Sequence, residues 1–313
     1  MANYQGLRTE ALSTTYPKKA AAGVLANERY LKWFLLIPLL IFLAMFAFYP
    51  LFYCIYMSFN KAVFFRPPEF IGLNNYRKVL HDPLFWASMW RTAKVVVICV
   101  SVEIVAGLGI ALFLNKEFRG QNTVRALCLL PLMVSPLAMS LMWKYYLDPQ
   151  TGIINAMLSW IGLPRIAFLA EEGTALYTIM FIESWKWLPF SIFVFLAALR
   201  GLPKDAFEAA QVDGATPWFT FRKLTLPLLR PFIVIVALLR IMWLIRIYDP
   251  IVGTTQGGAG TETLDWYIYR VAFIRFDLGE GATLALIALY ITIIIGVLLY
   301  NQLIKALGGL RAR

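Results

Sequence analysis

Two short runs set charged and aromatic side chains on single helical faces within otherwise apolar stretches. Glu183, Lys186, Trp187 and Phe190 recur at i, i+3, i+4 and i+7, which is one face of an α-helix. Arg240, Trp243, Leu244 and Ile247 repeat that spacing. Aromatic rings beside hydrogen-bonding groups suit a ligand with apolar C–H faces and polar edges, such as a sugar. Charges inside an apolar stretch mark either a pathway or an internal partner, and both readings stand here. Glu183 and Lys186 are spaced to neutralise each other, as are Arg246 and Asp249, and tryptophans on such helices are usually packing. Glu103 is a further carboxylate of this kind, and the sequence names no partner for it.

Catalytic chemistry finds little footing. His81 is the only histidine, and Cys54, Cys99 and Cys128 all fall inside apolar stretches without metal-ligand spacing, so they read as packing residues. The adjacent acidic pair Glu171-Glu172 lacks the clustered partners that a membrane transferase needs. The glycine-rich run over 253–260 lacks the GxxxxGK[ST] pattern and follows a helix rather than a strand. It reads as a flexible turn. No catalytic residue, metal site or cofactor is assigned to this chain, and ATP cannot be bound here in the P-loop way.

The elements that carry these residues are membrane helices. The 313 residues are 60% hydrophobic and 15% charged, with a mean hydropathy of +0.67, too apolar for a soluble domain. Stretches of about 20 apolar residues span a bilayer. Six are found: 33–58, 92–114, 124–147, 175–199, 232–252 and 283–306. Pro131 and Pro136 should kink or locally unwind the third. In the second, Ala106-Gly107-Leu108-Gly109-Ile110-Ala111 should let a neighbouring helix approach closely.

Lys and Arg concentrate on the loops and tails that share a side with both termini, among them Lys116, Arg119, Arg200, Lys204, Arg222 and Lys223. Both termini are therefore expected in the cytoplasm. The net charge of +11 is read as topology and contact with acidic membrane lipid; nothing resembles a nucleic-acid surface. The expectation is an all-α, multi-pass integral membrane protein: a polar cytoplasmic tail over 1–32, not a cleavable signal peptide, a six-helix domain over 33–306, and a short cytoplasmic tail over 307–313.

Between the fourth and fifth stretches stands Glu208-Ala209-Ala210-Gln211-Val212-Asp213-Gly214, then Leu224-Thr225-Leu226-Pro227. Pro203 suits the first turn of a helix and Asp205 complements its dipole. Gly214 can end that helix in the left-handed conformation. Thr216 with Pro217 can open a second helix, closed near Leu224 by Pro227 and Pro231. On these residues alone, an amphipathic hairpin lying on the membrane remains an alternative.

The full spacing, Glu-Ala-Ala, three residues, Gly, nine residues and an aliphatic-x-Leu-Pro, resembles the cytoplasmic coupling loop of binding-protein-dependent ABC importer permeases. The loop covers about 202–231. Further resemblance to the maltose-type carbohydrate permeases lies in Phe70-Ile71-Gly72-Leu73-Asn74-Asn75-Tyr76, Arg246-Ile247-Tyr248-Asp249, the glycine-rich run, and the segment from Thr261 through Phe273. This resemblance implies a type I importer permease fold in a bacterial inner membrane. It implies a second related permease, two ATP-binding subunits that hold the ATP and Mg, an extracytoplasmic binding protein and a carbohydrate substrate.

By the same resemblance, Glu208, Ala209, Ala210, Asp213, Gly214, Leu226 and Pro227 would engage the ATPase. Glu183, Lys186, Trp187, Phe190, Arg240, Trp243 and Leu244 would line the substrate pathway. Charges at these positions hint at an anionic cargo such as a uronide or sugar phosphate. A polyol or glycerol-phosphate importer of the same architecture is the alternative. An integral-membrane transferase or an ion-coupled transporter would leave the loop unexplained.

Overall fold

The computed structural model describes residues 28–63 and 66–311; most of the expected tail over 1–32 lies outside them. By compactness the chain divides after Tyr53 into two units. The first carries α1 (Glu28–Leu43), a π turn (Ala44–Phe48) and the start of α2 (Tyr49–Ser58).

In the second unit a two-residue antiparallel ribbon, β1 (Asn60–Lys61) with β2 (Glu69–Phe70), leads to α3 (Asn74–His81) and the long α4 (Pro83–Asn115). Then come α5 (Gln121–Met133), α6 (Pro136–Tyr146), α7 (Ile153–Trp160) and α8 (Ala175–Arg200). After them run α9 (Lys204–Val212), α10 (Pro217–Thr220), α11 (Leu226–Leu244), α12 (Asp249–Gly253), α13 (Leu264–Tyr269) and α14 (Leu278–Arg311). Among the described residues, five helical runs are long and apolar enough to cross a membrane, or six if the bent pair α5–α6 is one span.

Of the two outcomes expected for the third stretch, local unwinding is the one found, and α5 and α6 are bent by 97° across it. Pro136 has no N–H to give, and it disfavours helical geometry in the residue before it. Val134 and Ser135 accordingly take extended ψ angles of 136° before α6 restarts at Pro136.

Other prolines are absorbed without a break. Phe221–Thr225 is a π turn in which the Leu226 N–H reaches back to the Phe221 carbonyl, and it precedes Pro227 by two residues. Ala44–Phe48 does the same ahead of Pro50. The wider turn relieves the clash that a proline ring makes with the carbonyl four residues back. The expected helix stop at Pro227 and Pro231 therefore does not occur. Helix runs from Pro217 to Leu244, and the fifth span begins about fifteen residues earlier than its apolar stretch. Likewise α14 runs to Arg311, through the segment expected as a tail.

The core is built on α4 against α8. Among lipid-facing helices such contacts depend on close packing, because lipid tails are as apolar as leucine. Gly107 lies so close to α8 that an added Cβ would stand 2.8 Å from the Ser191 Cβ, whereas Gly109 faces open space. Val95 and Cys99 of α4, Ile179 of α8 and Leu244 of α11 fill one apolar cluster. Leu108, Phe195, Leu229 and Val236 fill another.

Loops are fixed by asparagine. Asn75 donates to the Ser58 and Asn60 carbonyls, both at 2.9 Å. Asn155 donates to the Asp148 and Ile166 carbonyls at 3.1 Å each and accepts from the Ile166 N–H at 2.8 Å. The glycine-rich run is a packed turn rather than a flexible one. Thr255 and Thr261 share a 2.6 Å hydroxyl contact, and Gly257, at φ +78°, sits against the Trp266 indole.

Candidate functional site

The intramembrane charges converge. Arg240 on α11 donates from Nε and Nη2 to the two oxygens of Glu103 on α4, at 2.6 and 2.7 Å. Its Nη2 also donates to Glu183 of α8 at 3.1 Å. The bidentate fork suits a guanidinium facing a carboxylate. It joins three helices at one point, and Arg240 is only 1% exposed. Glu103 thus has its partner, 137 residues away in sequence.

Glu183 and Lys186 do not pair. Lys186 donates instead to the Val134 carbonyl in the break between α5 and α6. Nor does any ion pair join Arg246 to Asp249 among the described residues. Arg246 borders a cavity of about 270 Å³ with Asp265 and Thr292. Burial raises the Asp265 carboxyl above the ordinary aspartate range, and Arg246 opposes that rise.

An aromatic ledge covers the charge cluster. The guanidinium centre of Arg240 lies 4.7 Å from the Trp187 ring centroid, within cation–π range. Trp187 meets Trp243 at 5.0 Å and Phe190 at 6.4 Å between centroids. Trp243 is 61% exposed and Trp187 and Phe190 are half-buried. Glu183, Lys186, Arg240 and Leu244 are buried. The seven expected pathway residues therefore separate into a buried set and an accessible aromatic set. One donor, Arg240 Nη1, is buried without a hydrogen-bond partner.

The hairpin between α8 and α11 has different chemistry. Asp205 lies in the first turn of α9, and Pro203 caps that helix rather than entering it. Gly214 adopts φ +73°. Its N–H donates to Gln211 O at 3.1 Å, and the Ala215 N–H donates to Ala210 O at 2.9 Å, the paired bonds of a Schellman ending. Thr216 Oγ1 accepts from the Phe219 N–H at 3.3 Å and opens α10. Glu208, Ala209, Asp213, Gly214, Leu226 and Pro227 are exposed, and Ala210 is half-buried. Val212, at 89%, Trp218 and Phe219 are exposed beside them. Ala206, Ala209, Ala210 and Gly214 line one hollow of about 610 Å³. Phe207 and Glu208 line another of about 670 Å³ with Arg200, Lys204 and Glu117. No group of three or more metal-ligating side chains exists among the described residues.

Sequence reasoning did not find the Arg240–Glu103 fork or the Lys186–Val134 bond. The signals were present: an arginine and a carboxylate in two apolar stretches must find partners, and Pro136 frees a carbonyl for a donor.

The fold and sequence are shared with transport proteins. The trehalose/maltose transport system permease protein MalF of Thermococcus litoralis is 32% identical over 255 residues, 81% of this chain and 86% of that protein. A bacterial ABC transporter involved in import of the acidic polysaccharide alginate superposes with a TM-score of 0.79 at 23% identity, over 88% of this chain and 96% of its own. A bacterial alginate ABC transporter in complex with an alginate pentasaccharide-bound periplasmic protein superposes at 0.77 and 22% identity, over 86% of this chain and 92% of its own. Residues 103–307 match the family of binding-protein-dependent transport system inner membrane components. That match takes in every buried charge of the cluster and the whole hairpin. The chain belongs to this family, as an inner-membrane permease component of ABC transport.

Proposed function

We propose that this chain is one permease subunit of an ATP-driven carbohydrate importer, forming half of the pathway beside a second, related permease. Both termini lie in the cytoplasm. Two ATP-binding subunits holding ATP and Mg engage the hairpin, and an extracytoplasmic binding protein delivers the sugar. The observation that carries this reading is the hairpin itself: a left-handed glycine between two capped helices, projecting Glu208, Val212 and Trp218 into the open. Such a unit is rigid because both helix ends at the bend are satisfied. It can therefore transmit a push from a partner to α8 and α11.

The aromatic ledge of Trp187, Phe190 and Trp243 is the proposed contact for the sugar, whose C–H faces stack on rings. Its geometry favours an uncharged cargo over a uronide or sugar phosphate. Arg240 is engaged by two carboxylates and Lys186 by a carbonyl. The two buried cations are matched in number by the two buried carboxylates, so the cluster beneath the ledge carries no net charge.

Mild-detergent purification of the tagged chain from native membranes, followed by mass spectrometry, should recover a second permease and ATP-binding subunits. Glu208→Lys should then abolish ATP-driven uptake while the complex still assembles. Recovery of the chain alone after crosslinking, or intact uptake in Glu208→Lys, would refute the coupling role. ATP hydrolysis stimulated by a neutral disaccharide and not by a uronide, each with the cognate binding protein, is the expected outcome for cargo class.

A further inference from the structure

The geometry points to Lys186 as the positioning residue that holds the break in the third membrane segment. The argument begins with a carbonyl. Pro136 disfavours helical geometry at Ser135, Val134 is extended as well, and α6 restarts with the Met139 N–H bonded to Ser135 O at 2.9 Å. The Val134 carbonyl is left without a helical donor. Inside a membrane no bulk water can satisfy it, so another side chain must. Lys186 Nζ fills that role from α8, across 52 residues of sequence.

A second observation shows why α5 needs such a bond. None of its described side chains is fully buried, and Cys128 packs only partly against the core of α4 and α8. Instead α5 is tied through polar bonds at both ends. At its start Gln121 and Arg125 each donate to the Leu114 carbonyl at 2.7 Å, closing the end of α4. At its end stands the Lys186 bond. The neighbouring carboxylate, Glu183, is already engaged by Arg240, which frees Lys186 for the break. Lys186 thus acts on the pathway through α5 and α6, not through the cargo, and the inference does not depend on what the cargo is.

With about 1.5 Å of rise per residue, segments of 13 and 11 residues meeting at 97° place their far ends about 24 Å apart, against about 36 Å when straight. Spin labels at Thr123 and Tyr145, both exposed, would report that span in the assembled complex after Cys54, Cys99 and Cys128 are replaced by alanine. The parent and Lys186→Arg should give one narrow distance near the bent value. Lys186→Met and Lys186→Gln should broaden it and shift it outward by about 5 Å or more. An unchanged distribution in Lys186→Met overturns the inference. If the two neutral variants fail to assemble, assembly of Lys186→Arg supports a cation at the break. Failure of Lys186→Arg as well assigns Lys186 to packing and overturns it.

Discussion

The buried cluster and the exposed hairpin solve opposite problems with similar residue types. In the cluster, Glu103, Glu183 and Arg240 come from three helices and are held by one another. In the hairpin, Glu208 and Asp213 stand in the open with no partner among the described residues of this chain. A buried charge is stable only while paired, and removing one partner leaves an uncompensated ion. An exposed charge is solvated and free to meet another protein. The proposed coupling role therefore draws on the exposed set, whereas ion pairing within the fold accounts for the buried set, although both read as functional carboxylates in the sequence.

The most severe test of that assignment removes the shared cation. Arg240→Met strands two carboxylates in the interior and should cost about 3–5 kcal/mol, read as loss of folded complex in detergent and a lower thermal midpoint. Adding Glu103→Gln and Glu183→Gln removes the stranded charges and should restore most of the loss. A fully stable Arg240→Met chain would break the comparison, because the cluster would then hold nothing together.

What the sequence made legible follows the range of the interactions. The hairpin could be read in detail because each part acts within a few residues: Asp205 on its helix dipole, Gly214 at the helix end, Thr216 on the Phe219 N–H. Resemblance to a known family is what proposes an ATPase partner for those residues. The six apolar stretches were visible for the same reason. The cluster could not be read, since spacing along α8 offers Glu183 to Lys186 while the fold gives Glu183 to Arg240 and Lys186 to Val134. The prolines were legible in one place and not in another. Pro136 unwinds the third span locally, one of the two outcomes expected of it, whereas Pro227 is accommodated by a π turn and ends nothing.

Two left-handed glycines sharpen the contrast between packed and open regions. Gly257 at φ +78° and Gly214 at φ +73° have nearly the same backbone. An added Cβ at Gly257 would lie 2.0 Å from Trp266 Nε1, whereas at Gly214 nothing stands within 4 Å. Alanine at either site bears the left-handed penalty of about 1–2 kcal/mol. Only Gly257→Ala adds overpacking of about 1–3 kcal/mol. Gly257→Ala should therefore lower the thermal midpoint of the complex clearly more than Gly214→Ala. The latter should act locally, as faster proteolysis between α9 and α10. Equal effects would mean that the glycine-rich run yields as easily as the hairpin, contrary to its packing.

The smallest expected effect probes whether hairpin rigidity itself matters for coupling. Thr216 Oγ1 accepts the Phe219 N–H at 3.3 Å, and losing such a cap costs about 1 kcal/mol. Thr216→Ala should leave the cluster and the global midpoint unchanged, because the change falls on the exposed first turn of the Pro217–Leu244 helix, where fraying stays local. Hydrogen exchange at Phe219 should rise about fivefold, the population change that 1 kcal/mol produces. Thr216→Ser, which keeps the acceptor, should restore protection. If uptake falls with the faster exchange while the complex stays assembled, a stiff hairpin is required to pass motion to α11. If uptake is unchanged, contact residues such as Glu208 carry the coupling, and the caps serve only to place them.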